Sequence, residues 1–241
     1  MEKIITYENL NQFAYSNDKD IDGEIKGILI VFAGLNHLFT GPESEEIAQK
    51  AAKNNVVFIS PYDNPWSWMN RQTISFIDET LDVLFKHYSL DEKLPIVTAG
   101  ASMGGLSALV YTQYASRTPV ACITNCPVCD LPYHYDERFD LPRTLYSAFY
   151  NEDGKMKDVL KKFSPLHLAE KMPDIKYHIF ACEKDSQVNK NAHSDKFVEK
   201  MKSLGRDITE YISYGSEHCA LDRENWKQFT ELMLHSFKKQ Q

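Results

Sequence analysis

Short, continuous apolar runs recur along the chain, separated by stretches in which apolar positions repeat every three or four residues. Ile28–Phe32 and Val56–Ser60 are unbroken runs of the kind that parallel strands buried on both faces require. Ile96–Thr98, Val120–Thr124, Tyr177–Ala181 and Ile208–Ser213 predict further strands. Ser44–Lys53, with Ile47, Ala48, Ala51 and Ala52 on one side, predicts a helix, as does Ile74–Tyr88 with Ile74, Ile77, Leu81 and Leu84. Helices are also expected over Pro165–Met172, His193–Leu204 and Trp226–Phe237, and the alternation predicts an α/β chain. Ile4–Tyr15 alternates only partly and predicts an edge strand or two, ended by a turn at Asn17–Gly23.

One stretch breaks the rhythm. Asn125–Ser164 holds Pro127, Pro132 and Pro142 among Tyr133, His134, Tyr135, Phe139, Tyr146, Phe149 and Tyr150. A proline-broken, aromatic insertion after a core strand predicts a small lid. His134 is expected there without companions and is set aside as a base. A chain of 241 residues, 43% hydrophobic, suits a single domain over residues 1–241 with this insertion at about 125–164. The formal net charge of −7 argues against nucleic acid or an anionic membrane surface as partner. No run is long and apolar enough to span a membrane, and Met1–Glu8 lacks a signal-peptide core, so a cytoplasmic location is expected; the oligomeric state is left open. Five scattered cysteines fit a reducing compartment. Cys126-Pro127-Val128-Cys129 has no second ligand pair for a metal and no thioredoxin-like context, so these cysteines are expected to be structural and no metal is expected.

Chemistry concentrates after the Ile96 strand. Gly100-Ala101-Ser102-Met103-Gly104-Gly105 contains Gly-x-Ser-x-Gly, the nucleophile-elbow pattern, in which a sharp turn lifts a serine above the sheet and a side chain at either glycine would collide. A serine hydroxyl is a poor nucleophile without an adjacent base. Asp185 follows the Tyr177 strand and His218 follows the Ile208 strand, giving the chain order serine, acid, histidine. His218 is expected to take the Ser102 proton and Asp185 to fix the His218 tautomer; Asp222 and Asp130 compete for the acid role. The backbone N–H groups of Leu35, after Gly34, and of Met103 are the expected oxyanion donors. Asn36, Trp66, Trp68 and Tyr133 are the candidate substrate-binding residues, the tryptophans lying in a loop that could equally be a hydrophobic plug.

The elbow, the Asp185–Val188 turn and the Gly215-Ser216-Glu217-His218 turn resemble the α/β-hydrolase superfamily, and within it the prolyl oligopeptidase-like and small-esterase branch. The resemblance covers roughly Ile28 to Phe237. It implies a twisted, mostly parallel sheet with helices on both faces, a serine nucleophile and no cofactor. Ala33-Gly34-Leu35 stands where many members have His-Gly-Gly. Peptidases of that branch carry a large N-terminal propeller, for which too few residues precede the Ile28 strand. The expected substrate is therefore a small-molecule carboxylic ester of a small or aromatic acid, cleaved through an acyl-enzyme. A peptidase acting on short peptides and a non-catalytic binding protein on the same scaffold are the alternatives.

Overall fold

The structure, a computed structural model, describes residues 4–37 and 42–237. Its elements in order are β1 (Ala14–Ser16), β2 (Gly27–Phe32), α1 (Pro42–Lys53), β3 (Val56–Pro61), α2 (Arg71–Tyr88), β4 (Ile96–Ala101), α3 (Met103–Tyr114) and β5 (Ala121–Asn125). There follow α4 (Leu131–Glu137), α5 (Leu141–Phe149), α6 (Met156–Lys161), α7 (Pro165–Leu168), β6 (Lys176–Cys182), α8 (Ser194–Ser203), β7 (Ile208–Ser213) and α9 (Arg223–His235). The strands form one sheet in the order β1-β3-β2-β4-β5-β6-β7. Only β1 runs antiparallel, on the edge beside β3; every other neighbouring pair is parallel.

The apolar runs are buried as two alternating faces. Leu29, Phe58, Val97, Ala99, Ile123 and Phe180 pack against α1 and α9. Ile28, Ile30, Val57, Ile59 and Ile96 point the other way, into the larger cluster with α2, α3 and α8. Period-two alternation within a continuous apolar strand is what a sheet covered on both faces demands. Among the described residues, no helix is long and apolar enough to cross a membrane.

One expectation is narrowed and another is corrected. Ile4–Tyr15 supplies a single three-residue edge strand, preceded by a 3-10 helix over Tyr7–Gln12. Asn9 explains it: its side chain accepts the Thr6 N–H at 2.8 Å and donates to the Ile4 carbonyl at 2.9 Å, closing a local turn before a strand can extend. The Tyr7 and Tyr88 hydroxyls then donate to one Asp18 carboxylate oxygen, at 2.6 and 2.7 Å, and tie this segment to α2. The correction is that 125–164, read as broken by its prolines, is mainly helical. Pro132 and Pro142 sit in the first turns of α4 and α5, where a missing N–H leaves no hydrogen bond unmade. The prolines start helices here rather than break them.

Candidate active site

The centre of the site is the turn between β4 and α3. Ser102 has φ 58° and ψ −123°, a conformation L-residues rarely adopt. Its neighbours enforce it. A Cβ on Gly100 would lie 2.3 Å from the Gly104 carbonyl oxygen, and one on Gly104 would lie 2.3 Å from that of Phe32. Both glycines are therefore demanded by backbone approach. Gly34 is not, since a Cβ there would stand 3.7 Å from its nearest neighbour. The Ser102 N–H donates to the Asn125 carbonyl at 2.9 Å, anchoring the turn to β5.

Two further turns at carboxyl strand ends reach this serine. His218, after β7, places Nε2 2.9 Å from Ser102 Oγ. Its Nδ1 lies 2.6 Å from Oδ2 of Asp185, after β6. The other Asp185 oxygen accepts the Gln187 and Val188 N–H groups, both at 2.9 Å, which fixes the carboxylate's direction. Burial opposes the Asp185 charge, but the His218 and backbone hydrogen bonds prevail and hold it below the usual range. Burial also opposes charge on His218; the hydrogen bond with Asp185, and after it the one with Cys126, overcome it and the imidazole is pushed up to about 9. The competing carboxylates are occupied elsewhere. Asp222 caps α9 through the Glu224 and Asn225 N–H groups, and Asp130 caps α4 through Tyr133 N–H.

A cavity of about 520 Å³ opens over Ser102 and His218. Leu35, Asn36, Trp68 and Met103 are in its walls. Among the described residues, neither the Leu35 nor the Met103 N–H donates to a protein acceptor, and Met103 begins α3, where the helix dipole favours an anion. The Asn36 N–H donates to the Pro65 carbonyl at 3.2 Å. Trp68 is 1% exposed, and its indole donates to Thr144 of α5 at 3.1 Å. Trp66 and Tyr133 are not brought into the wall. Trp66 is 43% exposed beside a separate groove and donates its indole N–H to Asn36, so it orients a wall residue from outside. Tyr133 is 39% exposed and turns its ring toward His193.

His134, expected to stand alone, has close companions. On α4 it lies with Nδ1 2.6 Å from Oε2 of Glu137, one turn on. The same oxygen is 3.0 Å from His193 Nε2, and Oε1 accepts the Asn189 N–H at 3.0 Å. Burial opposes the Glu137 charge, yet these hydrogen bonds win and hold the carboxyl well below its ordinary range. Burial dominates at His134 and lowers it, so its ring is neutral near pH 7. Glu137 thus joins α4 to the segment after Asp185, while His134 and Arg138 line the cavity. The i, i+3 spacing of His134 and Glu137 was readable in the sequence; its link to His193 was not. The five cysteines are free thiols, and Cys126 and Cys129 do not work as a pair: Cys129 hydrogen-bonds Pro127, while Cys126 lies beside His218.

No protein-family profile and no curated protein matches this sequence. Solved structures do resemble it. The acylaminoacyl peptidase of Pyrococcus horikoshii superposes with a TM-score of 0.68 at 15% identity, covering 91% of this chain and 38% of that one. This chain thus spans well under half the length of that peptidase. An S-formylglutathione hydrolase from Agrobacterium tumefaciens gives 0.65 at 17% identity, over 87% of this chain and 81% of that one. Carboxyl esterase 2 from the fungus Tuber melanosporum gives 0.64 at 14%, over 88% and 78%. With its mostly parallel seven-stranded sheet, helices on both faces and a serine turn between β4 and α3, this chain has the α/β-hydrolase fold.

Proposed function

We propose that this protein is a serine hydrolase that cleaves a carboxylic ester of a small or aromatic acid through an acyl-enzyme. One observation carries the proposal: the unbroken line from Asp185 Oδ2 to His218 Nδ1, and from Nε2 to Ser102 Oγ, at 2.6 and 2.9 Å on the floor of a cavity. A carboxylate can only accept, so Asp185 keeps the His218 hydrogen on Nδ1 and leaves the Nε2 lone pair facing the serine. Ser102 Oγ attacks the ester carbonyl as Nε2 takes its proton, and the tetrahedral oxyanion is received by the Leu35 and Met103 N–H groups. The imidazolium returns its proton to the departing alcohol, leaving acyl-Ser102. Water, activated by the same nitrogen, then releases the acid. Helices α4 to α6 act in this proposal as a cap, contributing His134 and Arg138 to the acyl or alcohol pocket beside Trp68.

A fluorophosphonate probe tests the proposal. It should label the protein at Ser102 and nowhere else, and the Ser102→Ala variant should stay unlabelled. No labelling of the native protein would favour a binding protein. Faster cleavage of short N-acylated peptides than of any p-nitrophenyl ester would favour a peptidase, a reading supported by the likeness to the acylaminoacyl peptidase.

A further inference from the structure

Among the described residues, two groups bring three potential metal ligands within 4.8 Å of one another: His134 with Glu137 and His193, and Cys126 with His218 and Cys219. Their tautomers separate them. His193 Nδ1 accepts the backbone N–H groups of Cys129 and Asp130, each at 3.1 Å. Its hydrogen must then sit on Nε2, where it donates to Glu137, so this nitrogen has no lone pair for a cation. That group is a closed hydrogen-bond brace.

His218 has the opposite tautomer. Asp185 holds the hydrogen on Nδ1, and the Nε2 lone pair faces Ser102 Oγ at 2.9 Å and Cys219 Sγ at 3.4 Å. A carboxylate behind an imidazole is the arrangement that orients a histidine toward zinc. Cys126 and Cys219 both hold left-handed backbone, with φ 46° and 59°, where they place their sulfurs beside that nitrogen. A tetrahedral zinc with bonds of about 2.3 Å to sulfur and about 2.0 Å to nitrogen needs a sulfur–nitrogen edge of about 3.5 Å. The Cys219–His218 edge already has nearly that length, at 3.4 Å.

We propose that Cys126, Cys219 and His218 form a site for a thiophilic divalent cation such as zinc, whose binding inhibits hydrolysis by taking the Nε2 lone pair away from Ser102. The inhibitory half rests on the hydrolase function proposed above; the binding half does not. Each thiol releases one proton to solvent as its sulfur binds, and no electron changes hands. The fourth position is left to Ser102 Oγ or a water. The other cysteine in the motif, Cys129, is sealed in the core and bonded to Pro127, outside the site.

The test is a titration of reduced, metal-free protein with cobalt(II), followed by thiolate-to-cobalt charge-transfer absorption. One equivalent should bind with that band in the native protein, in Ser102→Ala and in Cys129→Ala. Cys219→Ala, the partly exposed ligand and the easier one to replace without unfolding, should weaken cobalt binding at least about tenfold. Zinc chloride should inhibit turnover of a p-nitrophenyl ester, chelation by EDTA should restore it, and Cys219→Ala should need at least about tenfold more zinc. Absence of the cobalt band in native protein overturns the site. So does a peroxide inactivation reversed by dithiothreitol in a protein indifferent to zinc, which would make the thiols a redox pair instead. A cobalt band in a protein that hydrolyses no ester would leave the cation site standing and remove the hydrolase.

Discussion

Two regions of this protein contain the same pair, a histidine Nδ1 at 2.6 Å from a carboxylate oxygen, and differ in everything around it. At the strand ends, Asp185 serves one histidine and two backbone amides, and the far nitrogen of His218 faces a serine and open space. In the cap, Glu137 serves two buried histidines and a backbone amide, and His193 is satisfied at both nitrogens. The first pair keeps an unspent lone pair pointed at a reactive group. The second ties His134 and His193 to one carboxylate and holds α4 against the segment that follows Asp185. The charge states diverge accordingly: hydrogen bonds led by that of Asp185 raise His218 to about 9, whereas burial lowers His134. What distinguishes the two regions is the third partner, a serine at His218 and a second histidine at Glu137, not the dyad.

The comparison is tested hardest at the serine. Ser102→Ala should lower kcat for a p-nitrophenyl ester by about 10⁴-fold or more while the melting temperature stays close to native. Turnover within tenfold of native would end the assignment of the first region to chemistry.

Next is the carboxylate. Asp185→Asn should lower kcat by about 10²- to 10⁴-fold, while Asp222→Asn stays near native, because Asp222 only caps α9. The pH profile carries the same information. Only neutral His218 can take the serine proton, so kcat/KM should climb with pH between about 6.5 and 9, and the limb should move toward acid in Asp185→Asn as the carboxylate's lift is lost. An unmoved limb in an active Asp185→Asn variant would assign the lift elsewhere.

The brace should respond in stability rather than rate. Glu137→Ala leaves two buried histidines short of an acceptor and should cost about 2–4 kcal/mol in urea melts, with kcat changed only a few-fold. Losing activity as Asp185→Asn does, with no change in stability, would make the second region catalytic. The pH dependence of stability has opposite signs in the two regions. The His218 contribution is present below about 6.5 and is lost as pH rises through about 9. The depressed values of Glu137 and His134 instead remove stability on acidification, from about 6.5 downward for the histidine and from about 4.5 for the carboxyl.

The smallest effect belongs to the residues that join the regions. Trp68 meets His134 edge to face, with ring centroids 5.7 Å apart, and lies in the cavity wall, whereas Trp66 lies outside it. Trp68→Ala should lower kcat/KM for an aryl ester relative to acetate by about tenfold, and Trp66→Ala by no more than about threefold. Equal losses on all esters in both variants would make the two tryptophans plugs.

The amino-acid sequence alone determined the features that depend on a few neighbouring residues. Continuous apolar runs become strands because both sheet faces are covered, and Gly100 and Gly104 mark the serine turn because a Cβ at either would strike backbone. The placing of Ser102 and His218 in turns at strand ends, with carboxylates in the turns nearby, followed from where strands end. Only the tertiary structure decided the rest. Asp130, Asp185 and Asp222 are alike in sequence, and which one meets His218 depends on the direction of side chains in loops far apart along the chain. His134 looked solitary because α4 itself must form to bring Glu137 to it, and His193 arrives from the distant segment before α8. Trp66 and Trp68 are two residues apart, yet a left-handed backbone at Trp68 and Met69 helps turn one indole inward and leave the other outside. Cys126 and Cys219 lie on different turns, and parallel strand ends bring them to one imidazole. Burial and backbone sterics act over neighbouring residues and leave a mark in the pattern; hydrogen-bond partners at loop ends are chosen by packing among segments that the chain keeps apart.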